Sequence, residues 1–334
     1  MRSFLVAVLA LTACATVERA PPPVAATCEL SAEDHAWIDA ALGAWRFSAN
    51  EITGVSVAPG SAAVFFDDDC VLVSENAFNA PSLDRIAWIA TPHAGGVRLP
   101  DGEVIPAGVV SFARAEGGGA FFVMSTPSVW RAAGVTNDAL GLETMMTAVL
   151  LHEGSHIAQF GAHGARISEI VAANGLSEDF NDDSIQERFS GNAAFAASVE
   201  RETALLFQIV DNPDEIAARR LAREALDLMY ARRARWFTGA DVYLSDAEDI
   251  WLTMEGSGQW AAYQWIVHPS GGGAESDVAM EHFARRGRWW SQKQGIALAF
   301  AVDRLAGFDW KRQAYAGGAM TLTQMLEAAL ADVD

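Results

Sequence analysis

The stretch TAVLLHEGSHIAQFG, Thr147–Gly161, carries the pattern H-E-x-x-H at positions 152–156. Residues four apart lie on one face of an α-helix, about one turn from each other. The imidazoles of His152 and His156 can therefore reach one tetrahedral metal ion, while Glu153 is rotated by roughly 100° about the helix axis. The arrangement predicts a zinc site, because zinc lowers the pKa of a bound water and a nearby carboxylate can take its proton.

The residues around the pattern favour a buried helix. The run MMTAVLL at 145–151 is apolar and contains no proline, and Gly161 and Gly164 follow the pattern as stop signals. Two histidines and a glutamate inside such a helix are costly unless they have partners. A metal site is therefore favoured over the alternative, in which two hydrogen-bonded histidines lie in the core and the glutamate lies on the surface.

Composition limits the classes of protein to consider. The chain has 334 residues, of which 51% are hydrophobic, so one large or two medium domains can bury a sizeable core. The formal net charge is −20, which disfavours nucleic acid or an anionic membrane surface as a partner. We therefore expect no nucleic-acid partner.

The N-terminus has the features of a targeting segment. Arg2 precedes an apolar run, Phe4–Leu11, that is too short to span a membrane. The sequence LTAC that ends at Cys14 resembles the bacterial lipobox. The resemblance implies a signal peptide at residues 1–13 and a lipid on Cys14, and Ala15 implies the outer membrane, with the protein facing the periplasm. The alternative is an ordinary secretory signal cut near the same point.

Export sets the expectation for the other two cysteines. Residues 14–27 contain three consecutive prolines among small residues and are typical of an extended tether. Cys28 and Cys70 then remain in an oxidising compartment, so we predict a disulfide between them. Two buried free thiols are the alternative.

The sequence predicts an α+β fold in two parts. Residues 28–130 form an N-terminal α+β part. It has a helix at Ser31–Trp45, with Ser31 as its N-cap, and a small antiparallel sheet, including an edge strand, at Glu51–Ser125. Residues 131–334 form a mainly helical part that contains the metal site. Its helices after the H-E-x-x-H helix are predicted at Ala193–Val210, Asp214–Phe237, Asp246–Val267, Glu275–Leu305 and Thr321–Asp332.

Two of these helices carry notable polar residues. Ser245 and Glu248 form a capping box at the start of Asp246–Val267. The helix Asp214–Phe237 is rich in arginine, which predicts a solvated or salt-bridged face. The alternative is that Arg232 or Arg235 binds a substrate carboxylate.

A catalytic zinc needs a third protein ligand and one open position. Gln159 and Ala162 stand where the metzincin pattern has glycine and histidine, which excludes that pattern. The segment WLTMEGSGQW at 251–260 resembles the EG-x-A-x-Y helix of the gluzincins, H-E-x-x-H metallopeptidases whose third zinc ligand is a glutamate. The match makes Glu255 the third ligand, and the small residues Gly256 and Gly258 would let two helices approach closely.

A second acidic segment competes with this assignment. Glu200 and Glu202 lie on the predicted helix Ala193–Val210, between the pattern and Glu255. Either could be the third ligand, and Glu202 could instead accept a hydrogen bond from a ligand histidine. The resemblance favours Glu255 over both.

The resemblance to the gluzincins implies a zincin-like catalytic region and a zinc-dependent peptidase. His152, His156 and Glu255 would hold one Zn²⁺, Glu153 would be the general base, and a peptide or protein would be the substrate. Tyr263 is the predicted oxyanion donor, with Tyr243 and Tyr230 as alternatives. In zinc peptidases the helix is usually flanked by a sheet whose edge strand can pair with an extended substrate.

A different class of function is a catalytically inert, peptidase-like binding lipoprotein of the cell envelope. Binding alone does not need the carboxylate of Glu153, and that residue is intact. The sequence therefore favours the enzyme over the binding protein.

Overall fold

The computed structural model describes residues 28–116, 119–177, 179–315 and 320–331. The predicted signal peptide, the lipid attachment site at Cys14 and the tether lie outside the described residues. Within those ranges, no helix combines the length and apolar character that crossing a membrane requires.

The sheet lies in the N-terminal part and has five strands in the order β3-β2-β1-β7-β6. Their bounds are β1 Ala62–Phe66, β2 Cys70–Ser74, β3 Ile89–Pro92, β6 Ser111–Glu116 and β7 Gly119–Ser125. Neighbouring strands are antiparallel except β1 and β7, which are parallel. The α+β class is confirmed, but the prediction of an antiparallel sheet is wrong.

The mixed sheet follows from the path of the chain. Parallel neighbours need a crossover connection, and here the chain forms β2, β3 and β6 before it returns as β7 beside β1. Apolar spacing locates a strand but carries no information about which strand it pairs with. The edges of the sheet are β3 and β6.

The two faces of the sheet are buried against different partners. A hairpin of β4, Gly96–Arg98, and β5, Val104–Pro106, covers the face that carries Val64 and Phe66. The opposite face, which carries Phe65, packs into the main core, where the Trp37 and Phe65 rings are 5.9 Å apart between centroids. Successive side chains of β1 therefore point to opposite faces of the sheet, and both faces are covered.

The N-terminal helix is fixed at its start and to the sheet. Helix α1 spans Ala32–Phe47, and the Ser31 hydroxyl accepts the backbone N–H of Asp34 at 3.1 Å, as the predicted cap requires. The Asp34 carboxylate accepts the Ser128 N–H at 3.1 Å and its hydroxyl at 2.7 Å, which ties α1 to helix α2, Pro127–Ala132. The predicted disulfide between Cys28 and Cys70 is confirmed and links the residues before α1 to β2.

The remainder is helical and is organised around one long central helix. The bounds are α3 Leu142–Gln159, α4 Ala165–Asn174, α5 Ser184–Phe189, α6 Ala193–Asp211, α7 Glu215–Trp236, α8 Leu244–Val267, α9 Ser276–Ala279, α10 Trp290–Leu305, α11 Trp310–Tyr315 and α12 Leu322–Ala331. Helix α8 packs against α3 and also against α10. The largest core cluster runs from Leu30 to Leu330, so the two predicted parts share one core.

The predicted helix Glu275–Leu305 is interrupted. The chain is non-helical at 285–289, and α10 begins only at Trp290. The side chain of Gln186 accepts the Trp290 N–H at 2.7 Å and donates to the Arg288 carbonyl at 3.1 Å. Stacking of Trp290 on Phe195, with centroids 5.6 Å apart, adds to this. Tertiary contacts therefore replace the local helical hydrogen bonds.

The predicted capping box is also wrong. Helix α8 begins at Leu244 without a side-chain cap, and Glu248 instead accepts hydrogen bonds from Arg232 at 2.8 Å and Arg233 at 2.7 Å. Arg232 also contacts Glu202 at 2.9 Å and is fully buried. The arginine face is thus salt-bridged as predicted, but Arg232 lies in the interior and is not free to bind a substrate carboxylate.

Helices α8 and α10 touch backbone to backbone. A Cβ added at Gly256 would lie 2.3 Å from the carbonyl oxygen of Gly295, and one added at Gly295 would lie 2.8 Å from the Cα of Gly256. No side chain fits at either position. This contact fixes the position of α8 at the residue that follows Glu255. The sequence predicted a close helix approach at Gly256 and Gly258, and at Gly256 the approaching helix is α10.

Replacing Gly256 with alanine is expected to lower the free energy of unfolding by about 2 kcal/mol. The added methyl overpacks a backbone contact that cannot yield by a rotamer change, and this outweighs the gain of about 1 kcal/mol from better helix propensity. Chemical denaturation measures the difference. The matched control is Gly43→Ala in α1, where a Cβ meets nothing within 4 Å and stability should rise or stay unchanged. Equal effects at both positions would contradict the contact.

Candidate metal centre

Three potential metal ligands meet at the crossing of α3 and α8. The Nε2 atoms of His152 and His156 are 3.0 Å apart, and they lie 3.2 and 3.1 Å from the two carboxylate oxygens of Glu255. Tetrahedral ligands with bonds of about 2.0–2.1 Å to zinc are separated by about 3.3 Å. The three side chains are buried, and among the described residues they form a group that could hold a metal ion.

Glycines bring the surrounding elements close to this group. A Cβ at Gly258 would lie 2.9 Å from Nδ1 of His152, so α8 can approach the imidazole only without a side chain there. A Cβ at Gly154 would lie 2.5 Å from the Trp45 ring, which packs α1 onto the opposite side of α3. The small residues inside both sequence motifs therefore have a packing role.

Gln159 orients the ring of His156. Nδ1 of His156 is 3.1 Å from Oε1 of Gln159. The Gln159 amide nitrogen in turn donates to the Ser257 hydroxyl at 2.7 Å and to the Ala314 carbonyl at 3.1 Å, so Oε1 is the end that faces the histidine. Nδ1 of His156 must then carry a proton, so in the neutral ring, which is the form that binds a metal, the lone pair is on Nε2.

The other ligand histidine lacks such a support. Nδ1 of His152 is buried and has no hydrogen-bond partner among the described residues. The ring is held by helix packing and by its Nε2 contacts with His156 and Glu255.

The electrostatics of the group favour a bound cation. Burial alone would raise the pKa of the Glu255 carboxyl, but the two histidines hold it well below its usual range. Burial alone would lower the pKa of His156, but the charge and hydrogen bond of Glu255 raise it to about 9. At neutral pH a proton on His156 therefore balances the buried Glu255 carboxylate, and a metal ion held by the same atoms would replace that proton. Two imidazoles and one carboxylate are also a donor set of catalytic zinc sites, so the residues fit a zinc ion.

Glu153 lies beside the group but is not part of it. Its side chain keeps partial exposure, whereas His152 and His156 are buried. Burial raises the pKa of the Glu153 carboxyl, and the two imidazoles and the nearby backbone N–H of Ala113 counteract this rise. A carboxylate in this position can exchange a proton with a molecule bound next to the three ligands.

The contact with Ala113 places the free edge of β6 next to Glu153. Ser125 of β7 donates its N–H to the Val110 carbonyl at 3.0 Å. Bonded and non-bonded positions alternate along an antiparallel pair, so the N–H of Ala113, three residues beyond Val110, points away from β7. Strand β6 is the edge strand on this side of the sheet, and it lies beside α3.

Two acidic residues near the group were missed by the sequence analysis. Asp182 accepts the Ser291 hydroxyl at 3.0 Å, and burial together with the negative charges of Glu255 and Asp183 raises its pKa to about 7. Burial and Glu255 likewise raise the pKa of Asp183 to about 6. They lie in the connection between α4 and α5, and no spacing rule links that connection to the motif.

The predicted tyrosines make other contacts. The hydroxyl of Tyr263 lies 3.0 Å from the Ser276 hydroxyl, and Tyr263 is two turns, about 12 Å, beyond Glu255 along α8. Tyr230 donates to Glu327 at 2.6 Å, and Tyr243 packs in the cluster around Phe195 and Phe237. The structure shows no contact between these tyrosines and the metal group.

The rival acidic residues also lie elsewhere. Glu202 is fully buried, and its carboxylate accepts hydrogen bonds from Arg232, Gln294 and Ser198 rather than from a ligand histidine. Glu200 is exposed on α6. Of the three candidate glutamates, only Glu255 contacts His152 and His156.

His163 is buried but separate from the group. Neither ring nitrogen forms a hydrogen bond of normal length and angle with a described residue, although the backbone of Gln313 is nearby. Burial lowers the pKa of His163 to about 4. It is therefore a neutral core histidine at neutral pH.

Comparison with known proteins returned no match to a family model, to a curated protein or to a solved structure. The functional assignment therefore depends on the chemistry and geometry of the site itself.

Proposed function

We propose that this protein is a zinc-dependent peptidase of gluzincin type, with a zincin-like catalytic region, in which His152, His156 and Glu255 hold one Zn²⁺. The observation that carries the proposal is the convergence of their ligand atoms within 4.8 Å of one another, with Glu153 alongside. When bound, zinc supplies Lewis acidity, which polarises a carbonyl group and lowers the pKa of water.

Glu153 is the general base in this proposal. Its carboxylate accepts the proton of the attacking water and later delivers it to the nitrogen of the leaving amine. The upward shift of its pKa by burial brings it closer to neutral pH, where a base of this kind is most effective. Gln159 contributes by holding His156 in the tautomer that leaves Nε2 unprotonated.

The edge of β6 supports a polypeptide as the substrate. The outward backbone groups of Ser111 and Ala115, on either side of Ala113, would hydrogen-bond with an extended chain, which would then lie as an added strand beside Glu153. Main-chain pairing of this type binds many sequences, because it does not depend on the substrate side chains.

We also propose that the protein is anchored by a lipid on Cys14 to the outer membrane and faces the periplasm. The disulfide between Cys28 and Cys70 supports an oxidising compartment.

The inert binding lipoprotein is the second candidate. It would keep the three ligands but have no use for the proton-accepting carboxylate of Glu153 beside them. An inert binding lipoprotein would bind the metal but would not hydrolyse peptides.

The purified protein is expected to contain about one zinc per chain and to cleave members of a peptide library. Metal analysis gives the stoichiometry, and mass spectrometry of the digest identifies the cleaved bonds. A chelator should remove zinc and activity together, and added zinc should restore both. Absence of zinc after expression in zinc-replete medium would refute the site, while stoichiometric zinc without cleavage of any peptide would favour the binding protein.

A further inference from the structure

A second concave site lies between α6 and the segment at 285–293. The cleft has a volume of about 660 Å³ and is lined by residues of both elements. Small-molecule sites in proteins typically have volumes of about 300–1,000 Å³. The cleft therefore has the size of a ligand pocket, and none of the four residues assigned to the metal centre lines it.

The cleft combines apolar walls with a small excess of positive charge. Val199, Phe207 and Trp290 supply apolar surface. The charged lining residues are three cations, Arg285, Arg288 and Lys293, and two carboxylates, Glu200 and Asp211. In a chain with a net charge of −20, a lining with one net positive charge is a local exception.

The cations differ in how far they are already paired. Arg285 also lines the cleft and donates to Asp211 at 2.6 Å. The Arg288 guanidinium lies 4.2 Å over the Trp289 ring, and its charge acts on the Asp183 carboxylate without a hydrogen bond to it. The Lys293 ammonium forms no hydrogen bond or ion pair with a described residue. Both side chains therefore keep N–H donors that an anion can bind.

We propose that this cleft is a second binding site for a small amphipathic carboxylate. The apolar body of the ligand packs on Phe207 and Trp290, and its carboxylate binds Arg288 and Lys293. Two sources carry this chemistry: the C-terminal residue of a peptide and a fatty acid. The site goes beyond the proposed peptidase function and does not depend on it.

Isothermal titration of the full protein with N-acetyl-L-phenylalanine and with octanoate tests the proposal. A ligand of this size should bind with a Kd on the order of 1 mM. The neutral N-acetyl-L-phenylalaninamide should bind at least about tenfold more weakly, because it lacks the charge. Comparison of the two acids distinguishes the peptide from the fatty-acid source.

Arg288→Gln and Lys293→Gln, singly and together, should weaken binding, and the double variant should do so by a factor of at least about ten. Arg286→Gln is the matched control, since Arg286 is exposed, adjacent in sequence and absent from the cleft lining. It should change binding less than about twofold. Thermal unfolding verifies that every variant is folded.

Three results would overturn the proposal: neither acid binds at ten times the expected Kd, the amide binds as tightly as the acid, or Arg286→Gln weakens binding as much as Lys293→Gln. Titration of Glu255→Ala protein separates this test from that of the metal site. Binding of the carboxylate should persist there, whether or not zinc is lost.

Discussion

Glu153→Gln is expected to keep the zinc content of the wild type and to lose peptide hydrolysis by a factor of at least about 10². The substitution preserves size and a hydrogen-bonding group but removes the proton acceptor. Glu153 lies outside the group of three ligands, so its replacement leaves all three in place to hold zinc. Metal analysis and initial rates on a peptide cleaved by the wild type measure the two quantities in the same preparation.

Glu143→Gln is the matched control for this variant. Glu143 lies on the same helix, in the first turn of α3, where its exposed carboxylate pairs with Arg131. The same chemical change should leave both zinc and activity unaltered there. Retention of most of the activity by Glu153→Gln would remove Glu153 as the base. Equal inactivity of wild type and variant, with zinc present in both, would favour the inert binding lipoprotein.

Glu255→Ala is expected to empty the metal site and to abolish activity with it. Two imidazoles remain, and catalytic zinc sites use three protein ligands. We expect zinc occupancy to fall below about one tenth of the wild-type value, since even the loss of a group that only supports a ligand typically costs 10- to 100-fold in metal affinity. Metal analysis after dialysis against zinc-free buffer measures the loss.

The rival glutamates provide the controls. Glu200→Ala changes an exposed residue of α6 and should keep zinc at the wild-type level. Glu202→Ala should also keep zinc, but it leaves Arg232 buried without one of its two carboxylate partners, a type of change that costs about 3–5 kcal/mol of stability. If Glu202→Ala empties the site while Glu255→Ala retains zinc, the third ligand is Glu202.

Local geometry is what the sequence determined by itself. The spacing of His152 and His156 places both rings on one helical face whatever the rest of the chain does, because the helical period is a property of the backbone. The N-cap at Ser31 was predicted from what the start of a helix requires. The packing role of Gly256 was predicted from what a close approach of two helices requires. These features depend on residues within one or two turns.

The pairing of distant residues was predictable only where a motif or chemistry supplied the link. Glu255 was identified because its segment resembles the gluzincin helix that carries the third ligand. The structure places its carboxylate within hydrogen-bond distance of both histidines. The disulfide between Cys28 and Cys70 followed from the expected compartment and from the small number of cysteines. Neither follows from local conformational preference.

The tertiary structure alone decided the surroundings of the candidate site. The parallel pairing of β1 with β7 leaves β6 at the edge, so that Ala113 reaches Glu153. Packing of α8 on α3 brings Ser257 to Gln159, 98 positions away along the chain. Contacts at such separations depend on the sum of many packing interactions, each with a small free energy.

The same reason explains the predictions that were wrong. Glu248 has the spacing of a capping box, but two arginines of α7 bind its carboxylate more strongly than a backbone N–H does. Residues 285–289 have a helical pattern, but Gln186 and Phe195 hold Arg288 and Trp290 in another conformation. The sequence by itself determined the helix face that carries His152 and His156 and the position of Glu153 beside it. Folding decided the strand order, the hydrogen-bond partners of His156 and the position of the cleft beside α6, because those depend on which distant surfaces pack together.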